Sequence, residues 1–295
     1  MKKLLFTRKN NERHWVGNAF PVRTLFSYND IADQISPFLL MDYAGPYVFT
    51  PTSTPRGVGE HPHRGFETVT IVYEGEVTHK DSAGGGGTIK PDDVQWMTAA
   101  SGLVHEEFHS LNFSKTGGNF EMVQLWINLP TKDKMSKPRY QGILSSQIPK
   151  INLLNEAGTL RIISGEYAQA KGPAKTFSKI NLWDIRLNPG KEASFQVTAG
   201  DTCVLFVLSG SIKLANSSEV FKTAELVVLE STNTDFSIQA LEDTKILFLG
   251  GTPLNETIVG HGPFVMNTMT EINQAIQDYQ AGLMGNIDRI DGSEK

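Results

Sequence analysis

Short apolar runs, broken every few residues by clusters of Gly, Pro, Asn and Asp, fill most of this chain and favour β structure over helix. Within residues 123–129, Val123, Leu125, Ile127 and Leu129 fall on one face at period two. Residues 68–73 alternate in the same way, with Val69, Ile71 and Tyr73 facing together. The run 204–208 is continuously apolar, as suits a strand covered on both faces. One segment departs from this pattern. Thr268-Met269-Thr270-Glu271 is a capping box, and Ile272, Ala275, Ile276 and Tyr279 follow at helical spacing before Gly282. The pattern predicts a single amphipathic C-terminal helix docked on β structure.

At 295 residues the chain accommodates two ordinary domains or one large all-β unit, and 39% apolar with 20% charged residues excludes general disorder. Glu74-Gly75-Glu76-Val77 reads as a hairpin opening, and Ser209-Gly210-Ser211-Ile212 repeats it in the second half. Each is followed by a loop and an apolar strand, at 94–97 and 226–229. Two similar β units of about 130–150 residues each would account for the repeat. The polar, Pro-containing stretch 131–138 places the expected boundary between 1–134 and 135–295.

The lone Cys203, beside an apolar run, reads as an inert buried thiol and rules out an internal disulfide framework. With 27 basic and 32 acidic side chains the formal charge is −5, which argues against direct nucleic-acid binding. Residues 1–9 lack a secretory apolar core, and no run approaches a membrane span, so the expected address is cytoplasmic, with no membrane partner. Gly84-Gly85-Gly86-Gly87 lacks a following helix or Lys-Ser/Thr and reads as a hairpin tip, not a phosphate loop.

Five of the seven histidines lie between positions 61 and 109. In a strand, residues i and i+2 project to one face about 6.5–7 Å apart, so His61-Pro62-His63 and His105-Glu106-Glu107 each offer a converging pair. The two pairs are 42 residues apart, enough for intervening strands to bring them together in a barrel. Three imidazoles and a carboxylate suit Fe(II), Mn, Ni, Cu or Zn without choosing among them. A six-coordinate ion would keep two positions open for water, substrate or O2. Spacing alone leaves two readings, a metal centre or two surface or hydrogen-bonded pairs.

The segment His61-Pro62-His63-Arg64-Gly65-Phe66-Glu67-Thr68-Val69 resembles the first cupin motif in the form used by the pirin family. Residues 93–99 and 101–107 resemble the matching second segment, and pirin-like stretches recur at 36–42, 124–129, 138–141 and 261–268. The resemblance implies an all-β bicupin, two stacked jelly-roll barrels with a short C-terminal helix, and metal in the N-terminal barrel only. It carries the ligand roles to His61, His63, His105 and Glu107, with Fe(II) favoured and Mn, Ni, Cu, Co or Zn compatible. Arg64 and Glu67 become candidates to contact a ligand without binding the ion. Counting back from Gly210 as from Gly75 lands on Gln196 and Thr198, so the second barrel lacks a ligand set. His79 and His109 lie outside the matched pairs and read as solvated or hydrogen-bonded.

The implied activity is a metal-dependent dioxygenase of quercetin 2,3-dioxygenase type, opening a flavonol-like substrate with O2, with Glu107 as general base. The alternative is a non-catalytic iron-binding regulator that contacts a transcription factor or metabolic enzyme. Two departures stand out: Asp92 and Ala100 occupy places where pirin-like sequences usually carry glycine. Positive φ at either would strain the turn. Glu106 and Phe108 flank the ligands, and a carboxylate at the mouth would disfavour anionic substrates.

Overall fold

The computed structural model describes residues 1–287 and divides into two compact units. The first contains residues 1–12, 23–43 and 143–255; the second contains residues 13–22, 44–142 and the chain from Glu256. This interleaved division replaces the single cut expected after residue 134. Its cause is long-range pairing: strand Leu4–Lys9 lies antiparallel to Glu225–Leu229, so the N-terminus completes a sheet built mainly from the second half of the chain.

Each unit is a double-sheet cupin barrel. In the first, a seven-stranded sheet is centred on Thr202–Ser209 and Thr244–Gly251, and a four-stranded sheet on Asp235–Ala240. The apolar run around Val204 is buried throughout, as a central strand requires. One aromatic column fills the space between these sheets: Trp183 stacks on Phe248 at 4.5 Å, Phe248 on Phe236 at 5.6 Å, and Phe236 on Phe195 at 5.1 Å. Gln196 and Thr198 are not buried in it. This interior is a packed core with no ligand set among the described residues.

The second unit has the same plan. Phe66–Glu74, Val94–Thr98 and Gly118–Asn128 lie in a seven-stranded sheet. Gly57–His63, Leu103–His109, Val77–Asp81 and Gly86–Ile89 form the four-stranded one. The glycine turns of the repeat hold matching places in the two units but are not hairpins. Gly75 (φ 85°) and Gly210 (φ 83°) each turn the chain from the seven-stranded sheet into the four-stranded one. The residues around Gly84 do form a hairpin tip.

The C-terminal helix spans Met269–Gln280 with the expected reciprocal cap: Thr268 N donates to Glu271 Oε2 at 2.8 Å and Glu271 N to Thr268 Oγ1 at 3.2 Å. It buries Ile272 and Ala275 in a cluster with Val104, Phe264 and Met266, while Tyr279 remains exposed. A second, six-residue helix, Leu111–Thr116, is capped by Ser110, whose Oγ accepts from Phe113 N, and was not expected. No described helix is long and apolar enough to cross a membrane.

Candidate metal centre

Register explains how the two i, i+2 pairs meet. Leu103–His109 runs antiparallel between Gly57–His63 and Val77–Asp81, with His105 opposite both His61 and Asp81 and Glu107 opposite His79. Directly paired residues share a face, so His61, His63, His79, Asp81, His105 and Glu107 all turn into the barrel. An irregularity opposite Glu106, where Val58 and His61 face Glu107 and His105, keeps His61 in that set.

Two overlapping groups result, each with candidate donor atoms within 4.8 Å of one another: His61, His63 and His105, and His79, His105 and Glu107. Glu107 thus belongs with His79 and is not in the three-histidine group. These are the only such groups among the described residues.

Each of the three clustered imidazoles is anchored through one nitrogen. His61 Nδ1 lies 2.8 Å from the Gly59 carbonyl, His105 Nδ1 lies 3.2 Å from His79 Nδ1, and His63 is hydrogen-bonded to the Pro263 backbone. His63 Nδ1 and His105 Nε2 are buried and have no hydrogen-bond partner. A buried nitrogen without a partner is costly unless something else takes its lone pair. Burial, followed by the neighbouring imidazoles, pushes His63 and His105 well below the ordinary histidine range, so both are neutral donors at pH 7. A divalent cation fits this donor set.

Glu107 is held from the opposite sheet. Thr70, Gln95 and Gln124 pair across neighbouring strands and share a face. Gln95 Nε2 donates to Oε1 at 3.2 Å, Gln124 Nε2 to Oε2 at 3.0 Å, and Thr70 Oγ1 lies 3.5 Å from Oε1. Trp126, on the same face, stacks on Phe66 with centroids 4.2 Å apart and meets His63 at 5.1 Å. His61, Gln124 and Trp126 retain solvent exposure, whereas His105 has none.

Several expected site residues turn elsewhere. Glu67 is buried on the opposite face of its strand from Thr68 and Thr70, accepting from Thr98 Oγ1 at 2.7 Å. Arg64 is also buried and pairs with Asp278 of the C-terminal helix. Glu106 and Phe108 alternate away from the ligands and line an outer groove of about 950 Å³ with Pro51, Pro55 and Leu111. The expected carboxylate at the mouth is therefore absent from the ligand face. Asp92 (φ 69°) and Ala100 (φ 42°) do occupy the left-handed region, and the Ala100 carbonyl accepts from Gly65 N at 2.8 Å. Cys203 is buried, and burial pushes its thiol up to about 12.

Asp81, Gln95 and Gln124 were not singled out from sequence, and His79 was read only as solvated or hydrogen-bonded. His79-Lys80-Asp81 carries the same i, i+2 signal as the ligand pairs, and His79 is hydrogen-bonded and buried, not solvated.

These features define a cupin with one metal-type centre in its second unit and a filled first unit. The Pirin profile matches residues 19–127, and that of the Pirin C-terminal cupin domain matches residues 182–285. A Pseudomonas aeruginosa protein named "putative quercetin 2,3-dioxygenase" is 53% identical over 282 residues, covering 96% of this chain and 98% of that one. Human pirin is 34% identical over 251 residues, covering 83% and 82%. The crystal structure of quercetin 2,3-dioxygenase from Acinetobacter baumannii is 53% identical, with a TM-score of 0.94 over 98% of this chain and 100% of that one. The chain belongs to the pirin family.

Proposed function

We propose that the protein is an Fe(II)-dependent dioxygenase of quercetin 2,3-dioxygenase type, acting on a flavonol-like substrate with O2. The observation that carries this reading is the convergence of His61, His63 and His105 beside a buried carboxylate whose two oxygens have separate amide donors. His61, His63, His105 and Glu107 would hold the ion. When bound, the metal supplies Lewis acidity toward a hydroxyl oxygen and a redox partner for O2.

The protein's own groups account for the rest. Glu107 takes the hydroxyl proton of the substrate as general base. Gln95 and Gln124 fix the carboxylate so that it needs no reorientation as the proton arrives. The Phe66–Trp126 stack offers a flat apolar wall beside His63, suited to a planar aromatic ring. The relatives' names support a small-molecule substrate; the compartment proposed for the reaction is the cytoplasm.

The test is aerobic loss of a flavonol by ferrous-reconstituted protein, with carbon monoxide followed in parallel and His105→Ala as control. Turnover with carbon monoxide release that disappears in His105→Ala is expected. Iron uptake with no flavonol consumption would overturn the substrate assignment.

A further inference from the structure

Behind His105, on the side away from its unpartnered Nε2, lies a second buried histidine backed by a carboxylate. His79 Nε2 is 3.1 Å from Asp81 Oδ2, and His79 Nδ1 is 3.2 Å from His105 Nδ1. His79 and Asp81 are 2% and 4% exposed, so water does not compete for these bonds. We propose that Asp81 and His79 are positioning residues that fix the His105 proton on Nδ1 and thereby present the Nε2 lone pair to the metal. The inference rests on the metal reading given above.

The proton placement follows from donor and acceptor types. An ionised Asp81 can only accept, so His79 Nε2 carries a hydrogen. A single proton lies between the two facing Nδ1 atoms, and it belongs to His79 only if that ring is doubly protonated. Gln95 argues against this. Its Nε2 donates to Glu107 Oε1 at 3.2 Å, which fixes the amide orientation, because the flipped amide would set oxygen against carboxylate oxygen. The same Nε2 lies 3.2 Å from His79 Nδ1, so Nδ1 faces a donor and must itself accept. The proton between the rings therefore sits on His105 Nδ1, which shares the single His79 Nδ1 lone pair with the Gln95 donor, and His105 Nε2 is left with its own lone pair. A carboxylate behind a ligating imidazole fixes its tautomer and raises its basicity; here the effect is relayed through a second ring.

The relay is itself held in place. Asp81 Oδ1 accepts from Ala83 N and Gly85 N, both at 2.9 Å, leaving Oδ2 for His79. Tyr140 stacks on His79 at 5.1 Å with planes 16° apart. A Cβ at Gly85 would fall 2.4 Å from Asp81 Oδ2 and 2.5 Å from Tyr140 Cβ, so glycine is required at this point of the hairpin tip.

Asp81→Asn tests the relay while keeping the turn. Its amide oxygen replaces Oδ1 toward the two backbone N–H groups, and its NH2 then faces His79 Nε2. That sets a donor against His79 Nε2–H while Gln95 still faces Nδ1 with a donor, so neither His79 tautomer satisfies both sides and the proton is no longer fixed on His105 Nδ1. In metal-free wild type, long-range 1H–15N spectra of labelled histidines should show His79 as the Nε2–H and His105 as the Nδ1–H tautomer, with that fixed assignment lost to a mixture of tautomers in Asp81→Asn. Co(II) titration should show about 10–100-fold weaker binding in Asp81→Asn. If that variant fails to fold, His79→Asn and His79→Leu give the same comparison. In His79→Asn the new amide oxygen can accept from His105 Nδ1–H, so this variant should retain most of the affinity that His79→Leu loses.

Wild-type His105 in the Nε2–H form, or Asp81→Asn binding Co(II) within about twofold of wild type against the 10–100-fold expected, would overturn the relay while leaving the metal reading intact. A folded wild type that binds no Co(II) or Fe(II) would overturn the metal reading, and the relay with it.

Discussion

Arg64 Nη1 donates to Asp278 Oδ2 at 2.7 Å, joining the residue after His63 to the C-terminal helix. The neighbouring backbone reinforces this link: Val265 N donates to Arg64 O at 3.0 Å and Arg64 N to Pro263 O at 3.3 Å. The Arg64 side chain is only 5% exposed, so removing its partner leaves a buried unpaired guanidinium. Asp278→Ala should lower unfolding stability by about 3 kcal/mol, and the double variant with Arg64→Met should lose less than the sum. Urea unfolding of the four-member cycle measures this; additive losses would show that the pair is not coupled.

Glu107 and Gln124 are expected to separate in their kinetic effects. Glu107→Gln removes the base and should cut flavonol turnover by about 10²–10⁴-fold while retaining part of the bound metal. Gln124→Leu removes one donor from a charged acceptor and should cost about tenfold in kcat. Metal content measured beside initial rates distinguishes loss of the base from loss of the ion. Unchanged turnover in Glu107→Gln would remove the base assignment.

The readable parts of the site are those with local periodicity. His61 and His63, and His105 and Glu107, each announce a shared strand face by their i, i+2 spacing, and the Thr268–Glu271 cap announces its helix. The same rule places Glu67 with Val69 and Ile71, away from Thr68 and Thr70, and Glu106 and Phe108 away from the ligands. Motif position pointed the other way, and strand alternation prevailed. The relay behind His105 depends on which strand lies beside Leu103–His109, and periodicity within one strand does not reveal its neighbour. The interleaved units have the same origin, because Leu4 pairs with Leu229 across 225 positions of chain. Positive φ at Ala100 was foreseeable only through the resemblance, since alanine gives no signal for that conformation.

Lys134 is a buried amine held by neutral acceptors, and burial lowers its ammonium from 10.5 to about 7. Its Nζ lies 2.6 Å from Asn128 Oδ1, 2.7 Å from Gly65 O and 3.0 Å from Val265 O, three acceptors that only the protonated form can satisfy together. Lys134→Met fills a similar volume but leaves these three acceptors without that donor. A stability loss of about 2–4 kcal/mol is expected. The urea midpoint should fall by the corresponding amount, and a variant as stable as wild type would mean that burying the ammonium already costs as much as its three bonds return.

Glu67 should make stability depend on pH in the direction opposite to an ordinary ion-paired carboxylate. Burial raises its carboxyl from 4.5 to about 7, opposed by the Thr98 hydrogen bond and more weakly by Arg139 at 3.9 Å. Between about pH 4.5 and 7 the folded protein keeps a proton that the unfolded chain has released. The contribution to stability is complete below pH 4.5 and is lost as pH rises through 7. The full shift corresponds to about 3 kcal/mol. Glu67→Gln keeps an oxygen for Thr98 and cannot ionise, so it should gain on wild type by up to about 3 kcal/mol between pH 4.5 and 8. Urea unfolding of both proteins across that range isolates this residue, because every other titrating group is common to the pair. A constant difference at all pH values would show that Glu67 ionises normally despite its burial.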